Sequence, residues 1–456
     1  MERTRFHDLS EWLISEDRQP LVLRGARQVG KTWVVRHLAK IHQRQLIEMN
    51  FEKNPLQKSL FESNDPQTIL RAINVSIGQT IKPETHILFL DEIQAAPELL
   101  AKLRWFAEDL PELPVVAAGS LLEFALAEHT FSMPVGRIGY LHLEPLSFEE
   151  FLLAQGKTQV LAYLSAYDWS TTIPEILHQQ LLDLFKEYMI IGGLPAANAS
   201  WIKHHSLEKI SQIHHGLLTT YRDDFSKYNG RLAIERLEEV MLAVPRNLGQ
   251  KFVYAEVNPD VQSASIKQAL SLLVKAKVCH MVQSTAGNGI PLGAEIHQKF
   301  FKTLFLDVGL ASTMLGINLN EVNAASEIHS INKGALAEQV VGQILRTLPA
   351  SYIEPKLYYW QRTEKGATAE VDYLFQYGSS VIPIEVKAGT TGTLKSLHLF
   401  MGLKKFPLAM RINSDYPSKT PIEMKDHGGN SVQYTLLSIP FYLLGQINRL
   451  ISTSTA

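Results

Sequence analysis

One stretch near the start of the chain restricts the possible fold more than any other: "QPLVLRGARQVGKTWVVRHLAK". Its apolar residues Leu21 to Leu23 predict a strand, and a helical apolar pattern follows the loop. The loop matches G-x-x-x-x-G-K-[ST] in the strand, loop and helix context that this motif requires. Its residues are Gly25, Ala26, Arg27, Gln28, Val29, Gly30, Lys31 and Thr32. The alternative is a plain glycine-rich turn.

Glycines in such a loop let backbone N–H groups turn toward phosphate oxygens at a helix N-terminus. In this interpretation Lys31 reaches the β- and γ-phosphates and Thr32 binds Mg²⁺. A second motif, "HILFLDEIQ", supports it. Its continuous apolar run predicts a strand covered on both faces that ends in Asp91 and Glu92. We expect Asp91 to hold Mg²⁺ and Glu92 to polarise an attacking water. Alone, the pair would better fit an acidic helix N-cap.

Two later residues are weaker candidates. The apolar strand "PVVAAGS" ends in Ser120, which either senses the terminal phosphate or is a turn serine. Arg137 lies in a glycine-flanked loop, where it either reaches a neighbouring subunit's nucleotide as an arginine finger or is simply solvated.

These residues resemble the AAA+ branch of P-loop ATPases. The chain is similar to a bacterial and archaeal group that reads "G-x-R-Q-x-G-K-T", "L-D-E-I-Q", "G-S", "G-R", "P-L-S-F-x-E-F" and "G-G-L-P" in this order, with a nuclease-like C-terminal domain. The resemblance implies an α/β, parallel-sheet AAA+ domain over residues 1–165, with ATP and Mg²⁺ as cofactors. It also implies an ATPase that forms a homo-oligomer.

The region 166–325 is mainly helical by its apolar spacing. The stretch "VQSASIKQALSLLVKAKVCHMVQSTAGNGIPLG" predicts a helix, a β-like run and a glycine-rich turn, the outline of a winged helix. Ser263, Ser265, Lys267 and Gln268 would open its recognition helix. Because that segment has little basic charge, subunit packing or domain linkage is at least as good an interpretation as DNA binding.

Residues 326–456 contain the hairpin "AEVDYLFQYGSSVIPIEVKAG", which carries charges where a buried strand should be apolar. A loop of Tyr377 to Ser380 places Asp372 opposite Glu385 and Glu370 opposite Lys387, all on one face. Facing carboxylates repel each other unless a cation lies between them. Pro383 has no N–H to donate, which disfavours a fully paired central strand at that point.

This pattern resembles a PD-(D/E)XK nuclease site, and the order of helix, strand, hairpin and helix resembles the core of that restriction-endonuclease-like fold. The resemblance implies that Asp372 and Glu385 bind Mg²⁺ and that Lys387 orients the attacking water. It also implies that the carboxylate of Glu338 approaches the site from a preceding helix. Two alternatives stay open: a salt-bridged hairpin that pairs Glu370 with Lys387, and a retained fold with lost or weak cleavage.

Composition limits the remaining choices. The net charge of −2 makes no overall case for nucleic acid, so any DNA surface must be local. No apolar run approaches the ~20 residues of a membrane span, and the start lacks a secretory segment. With a single cysteine, Cys279, these features predict a cytoplasmic protein. The leading hypothesis is an ATPase acting on DNA with a Mg²⁺-dependent deoxyribonuclease-like domain; the rivals are a nucleotide-gated scaffold and a protein remodeller.

Overall fold

The structure is a computed structural model that describes residues 2–124, 134–227, 232–317, 333–362, 369–389, 393–425, 429 and 431–455. The chain divides into two compact units. The N-terminal unit comprises residues 1–144, 275–277 and 349–354; the C-terminal unit comprises residues 145–274, 278–348 and 355–456. Within the described residues, no helix combines the length and apolar character needed to cross a bilayer.

The N-terminal unit is built around a five-stranded parallel sheet. Its elements are α1 (Phe6–Ile14), β1 (Leu21–Arg24), α2 (Lys31–Ile41), β2 (Gln45–Asn50), α3 (Pro66–Ile77), β3 (His86–Asp91), α4 (Leu99–Asp109), β4 (Val115–Ala118) and β5 (Gly139–His142), with 3-10 helices at Pro55–Phe61 and Ile93–Ala95. The strand order is β2–β3–β4–β1–β5. Both β3 and β4 are buried along their whole length, as their apolar sequences predict. The parallel sheet expected from the sequence is confirmed.

The C-terminal unit begins with helices. They are α5 (Phe148–Ala154), α6 (Thr158–Ala166), α7 (Glu175–Ile191), α8 (Pro195–His204), α9 (Leu207–Asp223), α10 (Ile234–Arg246), α11 (Tyr254–Val257), α12 (Ser263–Lys275), α13 (Val308–Met314), α14 (Lys333–Leu345), α15 (Lys395–Lys404) and α16 (Ile447–Thr455), with 3-10 helices at Asp224–Lys227, Leu292–Glu295 and Phe441–Gln446. The motif "P-L-S-F-x-E-F" is a capping box, in which Ser147 and Glu150 each accept a backbone N–H of the other.

An eight-stranded mixed sheet follows. Its strands are β6 (Cys279–Thr285), β7 (Ile296–Phe305), β8 (Leu357–Gln361), β9 (Glu370–Tyr377), β10 (Ser380–Val386), β11 (Leu408–Asn413), β12 (Ser418–Lys425) and β13 (Ser431–Pro440), in the order β12–β13–β11–β10–β9–β8–β6–β7. Helices α10 to α12 followed by the antiparallel pair β6–β7 have the element order of a winged helix.

The expected boundaries differ from the compact units. The sequence suggests domains 166–325 and 326–456, but β6 pairs in parallel with β8, for example Val282 with Leu357, so both regions share one sheet and one unit. This pairing joins distant parts of the chain and leaves no local signal. The main segment of the N-terminal unit also ends at residue 144 and not at 165, because α5 and α6 belong to the C-terminal unit.

The charged hairpin is formed by β9 and β10 in the predicted register. Tyr377 pairs with Ser380, and the ladder continues to Tyr373 opposite Ile384. The next pair in this register is Asp372 and Glu385. Pro383 fits because it lies opposite Leu374, just before β10 begins its parallel pairing with β11 at Ile384. The order α14, β8, β9, β10 and α15 also follows the sequence expectation.

Candidate functional site

The glycine-rich loop after β1 has a backbone that its glycines make possible. Gly25 and Gly30 have φ angles of 151° and 98°. A Cβ on Gly25 would lie 2.2 Å from the carbonyl oxygen of Leu143, so a side chain there would force the backbone apart. Gly30 precedes α2, and within the described residues no side chain caps that helix. The N-terminal N–H groups of α2 are thus available to an anion.

Lys31 is folded back into this loop. It is buried, and its Nζ donates to the carbonyl oxygens of Gly25 and Ala26 at 2.9 and 2.7 Å. Burial lowers the pKa of Lys31 to about 8, against the opposing effects of Glu92 and Asp91. Phosphate oxygens would therefore replace two neutral acceptors with charged ones, which a buried ammonium favours.

Oxygen donors for a cation gather beside the loop. Thr32 Oγ1 lies 3.4 and 3.3 Å from the two carboxylate oxygens of Asp91, and Asn50 Nδ2 donates to Asp91 Oδ2 at 3.2 Å. Burial raises the pKa of Asp91, with further contributions from Glu92 and Glu48. A hydroxyl and a carboxylate at this place fit the oxygen preference of Mg²⁺.

Glu92 is held by Gln94, for which the sequence predicted no role. Glu92 has a left-handed backbone (φ 51°), and Gln94 Nε2 donates to its Oε2 at 2.6 Å. A Cβ on Gly119 would lie 2.3 Å from Gln94 Oε1, so the amide packs against the loop that follows β4. Gln94 therefore contacts both the candidate water-polarising carboxylate and the loop of Ser120. The signal was its place in the "L-D-E-I-Q" motif.

Ser120 and Arg137 lie at opposite ends of the strands of the parallel sheet: Ser120 follows the C-terminal end of β4, and Arg137 precedes the N-terminal end of β5. Ser120 is buried and follows β4, whose Ala118 is opposite Asp91, so it lies at the same end of the strands as the phosphate loop. Arg137 precedes β5, whose Gly139 is opposite Leu21 at the start of β1. Its Nε donates to Glu108 Oε1 at 2.8 Å, and the side chain is about half exposed. Arg137 thus lies at the N-terminal ends of the strands, away from the phosphate loop of its own chain, which follows the C-terminal end of β1.

A second group of charged side chains lies in the C-terminal unit. It joins Glu338 of α14, Glu370 and Asp372 of β9, and Glu385 of β10 with Lys387. Asp372 Oδ2 accepts from the backbone N–H of Val386 at 2.8 Å, and Lys387 Nζ donates to Glu385 Oε1 at 2.7 Å. All of these except Glu370 are the residues that the sequence places in a nuclease-like site.

Lys302 of β7 lies among these carboxylates, and the sequence interpretation missed it. Its Nζ is 3.0 Å from Glu338 Oε2 and 3.7 Å from Asp372 Oδ1, and it forms a close ion pair with Glu370. The alternative pairing of Glu370 with Lys387 is therefore wrong: Glu370 pairs with Lys302, and Lys387 pairs with Glu385. A lysine inside the apolar run "FFKTLF" was the available signal.

Burial and mutual repulsion dominate the electrostatics of this group. Burial raises the pKa of Glu338 to about 8 and of Glu385 to about 7, and the charge of Asp372 adds to both shifts. Burial alone would lower the pKa of Lys302, but the attraction of Glu338, Asp372 and Glu370 raises it well above its usual value. Glu338 and Glu385 therefore hold a proton more tightly than exposed glutamates do.

The donor set fits one divalent cation between Asp372 and Glu385. Glu385 is 6% exposed, and among the described residues its Oε2 has no hydrogen-bond partner. A buried carboxylate oxygen without a donor is costly, and a cation would satisfy it. In the part of the chain that the structure describes, no group of three or more His, Cys, Asp or Glu side chains has a metal-binding arrangement. The fit thus rests on two carboxylates.

The "G-G-L-P" motif has a structural explanation inside the same unit. Asp307 is buried and accepts from the N–H of Gly193 at 2.6 Å, while a Cβ on Gly192 would lie 2.0 Å from Asp307 Oδ1. Gln343 of α14 also donates to Asp307, at 3.1 Å. The two glycines therefore let the backbone approach the carboxylate of Asp307. This carboxylate links the start of α13 to Gln343 of α14.

Three families match parts of this chain. Residues 17–152 match the family described as an AAA domain. Residues 182–321 and 333–432 match two families described as domains of unknown function, DUF8612 and DUF4143. No curated protein sequence matches the chain. Together with the phosphate loop and the parallel sheet, the first match identifies the N-terminal part as an AAA-type P-loop ATPase domain.

Three solved structures are among those with similarity to this chain. The Walker-type ATPase PABY2304 of Pyrococcus abyssi is 15% identical with a TM-score of 0.43, and the match covers 68% of this chain and 94% of that chain. The Aeropyrum pernix ORC1 protein in complex with DNA is 12% identical with a TM-score of 0.29, covering 71% and 95%. The RuvB Holliday junction branch migration motor of Thermotoga maritima is 14% identical with a TM-score of 0.28, covering 61% and 89%. Similarity at these levels carries no argument about what this chain does.

Proposed function

We propose that this protein hydrolyses ATP in its AAA-type domain and carries a Mg²⁺-dependent, nuclease-like site for DNA in its C-terminal unit. The observation that carries the second part is the meeting of Glu338, Asp372, Glu385 and Lys387 from three separate elements. Four carboxylates share two lysines here. Such a grouping of charges away from water is unfavourable for folding, which favours a functional reason for its presence.

In the ATPase site each residue has a distinct role. Lys31 binds the β- and γ-phosphates, Thr32 and Asp91 hold Mg²⁺, and Glu92 accepts a proton from the attacking water. Ser120 is placed to respond to the terminal phosphate. Arg137 lies at the N-terminal ends of the strands, away from its own phosphate loop, so only the nucleotide of another copy in a homo-oligomer would be within its reach.

In the C-terminal site, Asp372 and Glu385 would hold the cation and Lys387 would orient the water that attacks a DNA phosphate. Mg²⁺ there would supply charge stabilisation for the phosphate oxygens. The side chains of this chain place the nucleophile: Lys387 is fixed by Glu385 Oε1, two residues away, and its ammonium also faces the charge that develops on the phosphate. Glu338, on α14, completes the group of carboxylates at this site.

The start of α12 is our candidate for DNA contact. Ser263, Lys267 and Gln268 are exposed and Ser265 is half-buried, on a helix whose other face packs into the unit. Lys267 is the single cation among these four residues, so contacts with DNA here would be mostly neutral hydrogen bonds.

The test is incubation of the purified protein with single-stranded, duplex and branched DNA, with and without ATP and Mg²⁺. We expect Mg²⁺-dependent cutting that Asp372→Ala and Lys387→Ala abolish. Lys425→Ala, an exposed lysine on the outermost strand β12, is the matched control and should cut normally. Cutting that persists in Asp372→Ala would contradict the proposal.

The competing function is a nucleotide-gated scaffold or remodeller that does not cleave. The observation in its favour is Lys302, which already neutralises part of the acidic site. A gel-shift series across salt separates the two rivals. A steep fall in DNA affinity marks phosphate contacts, whereas no binding at low salt favours a protein remodeller.

A further inference from the structure

Lys302 has the surroundings of a bound cation. It is 3% exposed, and three carboxylates surround its ammonium: Glu338 at 3.0 Å, Asp372 at 3.7 Å and Glu370 in close contact. Lysine is almost never fully buried unless it is paired. Here one ammonium faces carboxylates from two elements, α14 and β9, as a metal ion would.

The position of Lys302 is fixed by the backbone on which it lies. Three residues further along β7, Phe305 exchanges two hydrogen bonds with the side chain of Gln339, each at 2.9 Å. Gln339 is the neighbour of Glu338 on α14, so this amide sets β7 and α14 in one register. A second amide, Gln343, accepts from the N–H of Val308 at 2.8 Å. Both amide contacts follow Lys302 and Glu338 in the sequence, and they hold the end of β7 beside α14.

A separate part of the same acidic group has no such compensation. Glu385 Oε2 is buried without a hydrogen-bond partner among the described residues, while Oε1 is taken by Lys387. Asp372 lies between the two parts, with Oδ1 toward Lys302 and Oδ2 on the N–H of Val386. Asp372 thus adjoins two parts of the acidic group: one that Lys302 neutralises, and one in which the buried Oε2 of Glu385 has no donor among the described residues.

We propose that the acidic group has two cation positions that share Asp372 and that Lys302 occupies one of them, so that the C-terminal site takes a single divalent cation, bound by Asp372 and Glu385. Phosphate-cleaving sites with two metal ions hold them about 4 Å apart between shared carboxylates. The ammonium would replace the second ion permanently. This inference rests on the proposed nuclease-like site, whose cation position it narrows.

The experiment counts Mn²⁺ bound to the full chain without nucleotide, by equilibrium dialysis with electron paramagnetic resonance of the free ion. Four proteins are compared: wild type, Lys302→Met, Lys299→Met and Asp372→Asn. Lys299 is exposed on the same strand as Lys302 and is the matched control. Mn²⁺ sites that are lost in Asp372→Asn are assigned to the acidic group. This distinguishes them from any Mn²⁺ site at the phosphate loop.

We expect Asp372→Asn to lose one Mn²⁺ relative to wild type, and Lys302→Met to gain one, while Lys299→Met is unchanged. If Lys302→Met binds no more than wild type, Lys302 is a structural ion pair and the inference fails. If Asp372→Asn binds as many Mn²⁺ ions as wild type but Lys302→Met binds one more, the proposed metal site fails and the assignment of Lys302 stands.

Lys302→Met removes the charge that holds three carboxylates together. We therefore expect this variant to be less stable than wild type when a chelator removes divalent ions. We expect Mn²⁺ or Mg²⁺ to restore its thermal midpoint much more than it raises that of wild type or Lys299→Met. Loss of structure that divalent ions do not reverse would also overturn the inference, because the ammonium would then have no divalent substitute.

Discussion

Replacing Asp307 by asparagine should strongly destabilise the C-terminal unit. Asp307 Oδ1 accepts from the N–H groups of Gly309 and Leu310 at 3.0 and 3.2 Å. Its Oδ2 accepts from the N–H of Gly193 at 2.6 Å and from Gln343 Nε2 at 3.1 Å. An amide retains only one acceptor oxygen, so Asp307→Asn presents a donor to two donors that are already buried.

Each lost hydrogen bond to a charged group is worth about 1.5–3 kcal/mol, so two of them amount to about 3–6 kcal/mol. That is a large share of the ~5–15 kcal/mol by which folded proteins are stable. Equilibrium urea unfolding, followed by circular dichroism, measures the loss, with exposed Asp260→Asn as the matched control. A loss below about 1 kcal/mol in Asp307→Asn would refute the account of two accepting oxygens.

The other predictions concern activity and pH. Lys31→Ala and Glu92→Gln should abolish phosphate release, and ATP binding should survive only in Glu92→Gln; normal release in either variant would contradict the roles given to them. Gln94→Ala should lower kcat about tenfold, with KM near wild type, because it removes a hydrogen bond to Glu92 worth about 1.5 kcal/mol; a change in KM alone would argue against a positioning role. Burial lowers the pKa of His214 to about 4. The unfolded chain therefore binds more protons between pH 6.5 and 4, and stability should fall by up to about 3 kcal/mol as the pH drops through that range. An unchanged pH slope in His214→Gln would contradict this.

Features that depend on neighbouring residues could be predicted from the sequence. The phosphate loop joins β1 to α2 directly, so its motif and context lie within one short stretch. The register of β9 and β10 followed from a short turn, because a hairpin turn fixes which residues face each other. The capping box at Ser147 was similarly visible in the sequence, although its role was not identified.

Features that depend on distant pairing could not be predicted. Lys302 reaches Glu338 and Glu370 only because β7 joins the sheet through β6 and β8, a long-range arrangement with no local pattern. Asp307 meets Gly193 from more than a hundred residues away. The sequence therefore revealed which residues carry charge but not which of them would neutralise each other.

The proposed function is tested most directly by one cleavage assay with three proteins: wild type, Glu92→Gln and Asp372→Asn, each with labelled DNA, ATP and Mg²⁺. The account predicts that wild type cuts DNA, that Asp372→Asn does not cut with any substrate, and that Glu92→Gln retains the C-terminal site but no longer releases phosphate. Equal cutting by wild type and Asp372→Asn would contradict the assignment of the acidic group on β9 and β10.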